Sequence, residues 1–198
     1  MTPAGVLLAA GAGRRMGGPK ALLRDSHGVP FLDRAVGVLF EGGCTRVTVV
    51  LGAGAEEVRA VLDEAGWTED PAVDVVLAGD WGEGMGASLR SGLRALADGS
   101  HDADAALVTL VDLPDVDADV LRRVVGTAEG AGSLVRATYD GRPGHPVLIG
   151  RDHWDGVVAA AHGDHGARDY LAAHAHVSCE CGDLATGRDV DRPEDLDR

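Results

Sequence analysis

The sequence predicts an α/β fold in which helices cover both faces of a mostly parallel sheet. Two observations support this prediction. Short continuous runs of Val, Leu and Ala recur along the chain, and such runs are typical of strands buried on both faces. Between them, apolar residues recur at spacings of three and four, the period of an amphipathic helix. Because the two patterns alternate, we expect parallel strands joined by right-handed crossovers.

The individual elements follow from these patterns. In the first part of the chain the predicted strands are 5–9, 46–51, 73–77 and 105–111, and the predicted helices are 31–40, 55–65, 89–97 and 120–128. Later strands are predicted at 133–139, at 146–149 and around 177, with helices at 154–161 and 167–173. This order predicts a Rossmann-like three-layer α/β/α sandwich, whose ligands bind beyond the carboxyl ends of the strands.

Length and composition limit the possibilities further. At 198 residues, 45% hydrophobic and 25% charged, the chain has the composition of a globular protein with one sizeable core. No linker rich in proline, serine or charge divides it, so residues 1–198 are predicted to form a single domain. The net charge of −14 repels phosphate backbones and anionic lipid, so we expect neither nucleic acid nor a membrane as partner.

Cysteine usage and the N-terminus bear on localisation. Cys44, Cys179 and Cys181 have no disulfide-framework spacing, which favours a reducing compartment. The chain does not begin with a basic region followed by a long apolar stretch. We therefore predict a cytoplasmic protein.

A glycine-rich, cationic loop follows the first predicted strand. From Leu8 to Lys20 the sequence is LAAGAGRRMGGPK. Its glycines let backbone N–H groups turn towards an anion, while Arg14, Arg15 and Lys20 supply positive charge in an otherwise acidic chain. A glycine-rich turn alone could be a plain β–α connection. Together with these cations, it predicts a polyphosphate site.

Two common nucleotide motifs do not fit this loop. A Walker A loop ends in Gly-Lys-Ser/Thr, whereas Pro19 precedes Lys20 and Ala21 follows it. The dinucleotide fingerprint requires glycine at the sixth position from Gly11, and that position is Met16.

The loop resembles the signature of the MobA-like nucleotidyltransferases, and within them the branch of molybdenum cofactor cytidylyltransferase and nicotine blue oxidoreductase-like proteins. The matching segments run in order from residue 8 to residue 196. The resemblance implies a fold of the nucleotide-diphospho-sugar transferase type. It also implies that the loop at Gly11 and Gly13 holds a triphosphate, with Arg15 and Lys20 on the phosphates.

The same resemblance implies a base site. The main chain at Leu8, Ala9 and Ala10 would face the base, and Ser88, in the GMGASL run, would contact the nucleotide. The less favoured alternative is that Ser88 is an ordinary serine near a helix N-terminus. Guanylyl-transferring relatives usually carry a second glycine where this chain has Ala10, which favours CTP over GTP.

Two carboxylates are candidate Mg²⁺ ligands. Asp112 directly follows the strand predicted at 105–111 and should emerge at the carboxyl edge of the sheet, where Mg²⁺ binds one or two carboxylates together with phosphates and water. By itself Asp112 could simply begin a turn before Pro114. The resemblance makes Asp112 the principal metal ligand. It assigns the second carboxylate to Asp191, with Asp189 as the next choice.

Two further segments, 141–147 and 163–168, match the same branch of the family. The resemblance places them on the acceptor side, with His145 and Asp164 as acceptor-binding candidates. A lone histidine before proline is more often an ordinary loop residue than a catalyst.

Together these features predict a Mg²⁺-dependent nucleotidyltransferase with Arg15, Lys20 and Asp112 as its catalytic residues. The resemblance implies a nucleoside triphosphate, preferably CTP, as donor and a phosphorylated acceptor, molybdopterin. Two alternatives remain open at this stage. One is an NAD(P)H-dependent reductase, and the other is a non-catalytic carrier that hands a molybdenum cofactor to a molybdoenzyme client.

Overall fold

The computed structural model describes residues 1–99 and 102–195. Within them, seven strands form one sheet. They are β1 (Pro3–Ala9), β2 (Val47–Leu51), β3 (Val73–Leu77), β4 (Ala105–Leu110), β5 (Leu134–Tyr139), β6 (Arg142–Gly150) and β7 (Val177–Glu180). The α-helices are α1 (Phe31–Glu41), α2 (Ala55–Glu64), α3 (Met85–Asp98), α4 (Ala118–Thr127), α5 (Trp154–Ala160) and α6 (Arg168–Ala173).

The sheet has the order β3-β2-β1-β4-β6-β5-β7. Strand β6 runs antiparallel to its neighbours β4 and β5, and every other neighbouring pair is parallel. Alternate residues of each central strand supply two separate cores. Leu7, Val49 and Leu107 pack with α1, α2 and α4, whereas Val6, Val50 and Val108 pack with α3, α5 and α6. The predicted three-layer α/β fold is therefore confirmed.

Most predicted boundaries agree with the structure to within two residues. Two do not, and both concern glycine-rich segments near the site. Helix α3 begins at Met85, four residues before the predicted start at 89. Gly84 precedes it with a φ of +119°, and a Cβ there would lie 2.4 Å from Oδ1 of Asp164. Because Gly84 has no Cβ, the start of α3 and the segment around Asp164 can approach each other closely. The low helix propensity of glycine is the reason why the sequence predicts a later start for this helix.

Strand β6 was predicted at 146–149 but spans Arg142–Gly150. Its extra residues belong to a hairpin with β5, in which Tyr139 pairs with Arg142. The two connecting residues, Asp140 and Gly141, have φ angles of +51° and +74°, as a type I′ turn requires. The segment containing His145 is therefore a strand, which corrects its prediction as a loop. Strand β4 also ends one residue earlier than predicted, at Leu110.

Candidate nucleotidyl-transfer site

The glycine-rich loop leaves the carboxyl end of β1 and folds back on itself. The N–H of Met16 donates to the carbonyl of Gly13 at 2.8 Å. Gly13 has a φ of +54°, and a Cβ there would lie 1.9 Å from the carbonyl oxygen of Gly18. Only glycine permits this turn. The loop ends in a single 3₁₀ turn, Lys20–Leu22, which begins with Lys20.

Lys20 joins the two predicted metal ligands. Its ammonium nitrogen lies 2.7 Å from Oδ2 of Asp112 and 2.6 Å from Oδ1 of Asp191. The side chains of Lys20 and Asp112 are 17% and 14% exposed, whereas that of Asp191 is 43% exposed. Arg15 approaches the same group from solvent, with Nη1 3.5 Å from Oδ2 of Asp191. The structure thus brings together four predicted residues from three separate parts of the sequence: Arg15 and Lys20 from the glycine loop, Asp112, and Asp191.

Asp191 reaches this position because the C-terminal segment is fastened to the loop after β4. The N–H of Val190 donates to the carbonyl of Asp112 at 3.0 Å, and the Val190 side chain is buried in the core. Further along, the backbone N–H and the hydroxyl of Thr186 both donate to Oδ2 of Asp115, at 2.6 and 2.5 Å. These contacts hold the two carboxylates at one edge of the sheet.

The two carboxylates differ in environment, and their pKa values shift in opposite directions. Burial raises the pKa of Asp112 despite the hydrogen bond from Lys20, and the nearby charge of Asp189 adds to the rise. The hydrogen bond from Lys20 lowers the pKa of the more exposed Asp191. Burial alone would lower the pKa of Lys20, but its contacts with Asp112 and Asp191 together raise it. The ammonium is therefore firmly charged at neutral pH.

A cavity of about 400 Å³ opens beside this cluster, between the glycine loop and the start of α3. Several of the predicted nucleotide, metal and acceptor residues line it: Leu8, Ala10, Gly11, Gly13, Lys20, Ser88, Asp112 and Asp164. Arg15 and Asp191 line an adjoining cavity of about 180 Å³, which also includes Gly13 and Lys20. The volume of the larger cavity falls in the range of small-molecule sites.

Two predicted residues lie apart from these walls. The side chain of Ala9 packs in the core beneath α1 and α2, and among the described residues Ala9 does not line the cavity. His145 lies in β6, and it too is not among the described residues of the cavity wall. Strand β6 pairs with β4 through Val147 and Val108. Continuing that antiparallel register places His145 opposite Leu110, which does line the cavity.

Arg14, Trp81 and Met85 also line the cavity and were not predicted as site residues. Arg14 belongs to the cationic loop and could have been assigned from its position. Trp81 and Met85 flank the glycines that precede α3, so the same glycine-rich pattern that suggested Ser88 could have indicated them.

Over residues 1–99 and 102–195, no group of three or more His, Cys, Asp or Glu side chains is arranged to hold a metal ion by itself. A cation at Asp112 and Asp191 would therefore need further ligands from substrate or water, as Mg²⁺ commonly has. Across the same ranges, no helix combines the length and apolar character needed to cross a bilayer.

Comparison with known proteins assigns the family. The model described as the MobA-like NTP transferase domain matches residues 5–177. The chain belongs to the MobA-like NTP transferase family. The family is one of nucleotidyltransferases, a class that uses a nucleoside triphosphate and typically a divalent metal ion.

Individual relatives extend this comparison. Nicotine blue oxidoreductase of Paenarthrobacter nicotinovorans is 35% identical, and the match covers 98% of this chain and 94% of the relative. The Rv0371c homologue of Mycobacterium sp. strain JC1 superimposes with a TM-score of 0.81 at 26% identity, covering 99% and 93% of the two chains. Rv0371c of Mycobacterium tuberculosis in complex with manganese has a TM-score of 0.67 at 28% identity, covering 91% and 88%.

Proposed function

We propose that this nucleotidyltransferase uses Mg²⁺ to transfer CMP from CTP to a phosphorylated acceptor, molybdopterin, and releases pyrophosphate. The observation that carries the proposal is the contact of Lys20 with both Asp112 and Asp191 beside a cavity lined by the glycine loop. Cationic donors, backbone amides and paired carboxylates are the groups that phosphoryl chemistry needs, because catalysis there is mostly positioning and charge stabilisation.

The donor set fits a hard divalent cation. Asp112 and Asp191 both lie within hydrogen-bond distance of a single ammonium nitrogen, so their oxygens already converge on one positive charge. Two carboxylate oxygens with phosphate and water completing the shell are typical of Mg²⁺. The manganese complex of Rv0371c supports a divalent ion of this kind in a related protein. When bound, Mg²⁺ supplies positive charge that stabilises the transferring and leaving phosphates.

The residues of the chain have separate tasks in this scheme. The loop amides at Gly11 and Gly13 bind the triphosphate, and Arg15 and Lys20 neutralise its charge. The acceptor phosphate oxygen attacks the α-phosphorus, so a new P–O bond forms there. The bond from the α-phosphorus to the bridging oxygen breaks, and pyrophosphate leaves with that electron pair. No covalent bond to the protein is required.

The base site is proposed at Leu8, Ala10 and Ser88. Ala10 is buried, and its carbonyl accepts from the N–H of Ala53 at 3.1 Å, so the main chain here is tied to the loop after β2. Compared with a glycine at this position, the methyl group of Ala10 narrows the base site, which favours a pyrimidine over a purine by size. We expect unlabelled CTP to displace labelled CTP more strongly than GTP does at equal concentration. Stronger displacement by GTP would contradict the cytidine assignment.

A reductase is the second candidate, because 35% identity links nearly the whole chain to a protein named nicotine blue oxidoreductase. Hydride transfer requires a bound nicotinamide and gains little from paired carboxylates. Met16 also replaces the glycine that a dinucleotide fingerprint requires. A third candidate, a carrier of molybdenum cofactor for a client enzyme, would bind ligands without turnover.

One experiment separates these candidates. The purified protein is supplied with CTP, molybdopterin and Mg²⁺, and pyrophosphate release and NADPH oxidation are measured in parallel. Pyrophosphate release that requires Mg²⁺ supports the transferase. Asp112→Asn should lower it by about 100-fold or more, while Asp74→Asn, an exposed carboxylate on β3, should leave it unchanged. NADPH oxidation that persists in EDTA would indicate the reductase, and neither reaction would indicate the carrier.

A further inference from the structure

Arg136 is a half-buried cation that has no acidic partner among the residues the structure describes. It lies on β5 opposite Val147, on the sheet face covered by α3, α5 and α6. Its Nε donates one long hydrogen bond, 3.4 Å, to the carbonyl of Gly144. Within the described part of the chain no carboxylate lies within ion-pair distance of its guanidinium. That arrangement is costly, because a buried charge is normally paired.

The neighbours of Arg136 are also basic. His145 directly follows the carbonyl that Arg136 contacts, and the charge of Arg136 helps to lower the pKa of His145, after the larger effect of burial. Burial lowers the pKa of Arg136 itself, and the charge of Arg168 adds to this shift. Arg168 also has no ion pair among the residues described here. Arg168 is the first residue of α6, which packs through Leu171 on the same face of the sheet as Arg136. Arg136, His145 and Arg168 thus form a basic region on that face, in a protein whose net charge is −14.

Two elements bring this cluster to the edge of the cavity. The β5–β6 hairpin extends beyond the last pair of β6 with β4, Val147 with Val108, and the same register continued would set His145 opposite Leu110. The loop before Arg168 packs against the start of α3, where Cβ atoms placed on Gly84 and Gly166 would lie 2.4 Å from Asp164 and 3.1 Å from Met85. Leu110, Met85 and Asp164 all line the cavity. The segments that carry Arg136, His145 and Arg168 therefore lie next to residues of the cavity wall, although the three side chains are not among its described lining.

We propose that Arg136, His145 and Arg168 form a second anion site, separate from the glycine loop, that holds the phosphate of the acceptor. This inference rests on the proposed function above, since it names the group by which the acceptor is recognised. A phosphomonoester has the required properties: it carries the negative charge that the cluster lacks, and its oxygens accept from arginine N–H groups and from an imidazole.

Inorganic phosphate is a suitable probe, provided that the glycine loop is already filled. Calorimetry is carried out on the full chain saturated with α,β-methylene-CTP and Mg²⁺, and phosphate is titrated in. We expect wild-type protein to bind phosphate, and Arg136→Gln to weaken this binding by about tenfold or more, as loss of one charge-assisted hydrogen bond implies. The matched control is Arg122→Gln, an exposed arginine on α4 at the other face of the sheet, which should bind phosphate as the wild type does.

Three results would overturn the inference: no phosphate binding by the wild type, equal binding by Arg136→Gln, or an equal loss in the control. Affinity for the CTP analogue, measured first and without phosphate, keeps the two proposals apart. If the wild type does not bind the analogue, the proposed function fails. If the wild type and Arg136→Gln bind the CTP analogue with the same affinity, any difference in phosphate binding concerns the second anion site alone. An NMR signal of the His145 imidazole that shifts when phosphate is added to wild type supports the site independently of any variant.

Discussion

The ammonium of Lys20 lies 2.7 Å from Oδ2 of Asp112, although 92 positions separate the two residues, and 2.6 Å from Oδ1 of Asp191. Lys20 is the only lysine in the chain. A metal ion held by the same two carboxylates would meet this ammonium at contact distance, where like charges repel strongly. Lys20 and a divalent ion are therefore competitors for the carboxylates. A triphosphate in the loop would offer the ammonium another partner.

Lys20→Met should change the affinities for metal and nucleotide in opposite directions. Without the ammonium, Asp112 and Asp191 are free for a cation, so Mn²⁺ should bind more tightly in the absence of nucleotide. Triphosphate binding should weaken by about 1.5–3 kcal/mol, as expected for one charge-assisted contact. Electron paramagnetic resonance of free Mn²⁺ measures the first effect, and calorimetry with CTP measures the second.

Arg24→Met is the matched control, because Arg24 contacts the carbonyl of Gly28 and neither carboxylate. It should leave both affinities unchanged. Weaker Mn²⁺ binding in Lys20→Met would show that the lysine assists the metal instead of competing with it. That outcome would contradict this prediction.

The glycine loop permits a sharp comparison between two similar substitutions. Gly13→Ala requires a Cβ 1.9 Å from the carbonyl oxygen of Gly18 at a φ of +54°, whereas Gly18→Ala meets nothing within 4 Å. We expect Gly13→Ala to distort the loop and abolish measurable CTP binding, with a stability cost of about 1–3 kcal/mol. Gly18→Ala should retain binding within a few-fold. Titration and thermal unfolding of both variants test this, and equal behaviour would rule out a structural role for Gly13.

The sequence predicts the parallel half of the sheet better than the rest. Strands β1 to β4 are nearly continuous Val, Leu and Ala, so local composition is enough to locate them. Strand β6 is different, because Arg-Pro-Gly-His-Pro has no strand propensity. It is held by its long-range pairing with β4, in which Val147 lies opposite Val108. Within the hairpin, the hydroxyl of Tyr139 also donates to the carbonyl of His145 at 2.6 Å. The Asp140-Gly141 pair was the local sign of this hairpin.

In the candidate site too, some residues can be located from local sequence and others only from the folded structure. The glycine loop and Asp112 are adjacent to a predicted strand, so sequence position alone indicated them. The meeting of Lys20 with Asp191 depends on how the C-terminal segment packs, and no periodicity reveals it. Arg136 has the appearance of an ordinary strand residue in the sequence. Only the absence of an acidic neighbour among the described residues distinguishes it.

The anchor of the C-terminal segment should affect the metal more than the fold. Thr186→Val removes the 2.5 Å hydrogen bond from the hydroxyl to Asp115 but keeps the one from the backbone N–H. Because the contact is exposed, the free energy of unfolding should fall by less than about 1 kcal/mol. Asp191 would be less well positioned, so Mn²⁺ affinity should fall several-fold. Thr186→Ser restores the hydroxyl and should restore the affinity; failure to do so would assign the effect to packing.

The half-buried histidine of β6, His145, should make stability depend on pH. Burial, with a smaller effect of the Arg136 charge, lowers the pKa of His145 to about 4, well below the value of about 6.5 for an unfolded histidine. Between these two values the unfolded chain binds more protons than the native protein does, so stability rises with pH in that interval. The contribution of the neutral imidazole is therefore complete above about pH 6.5 and is lost as the pH falls towards 4.

His145→Gln cannot titrate, so the difference between its stability and that of the wild type isolates this contribution from the carboxylates that titrate in the same interval. As the pH falls from 6.5 to 4, the free energy of unfolding should decrease by about 1–3 kcal/mol more for the wild type than for the variant. Partial exposure of the ring favours the smaller values of this energy range. Urea unfolding at a series of pH values measures it. If the two curves stay parallel, His145 does not titrate abnormally. In that case the imidazole is better solvated than the burial and the Arg136 charge that lower its pKa would imply.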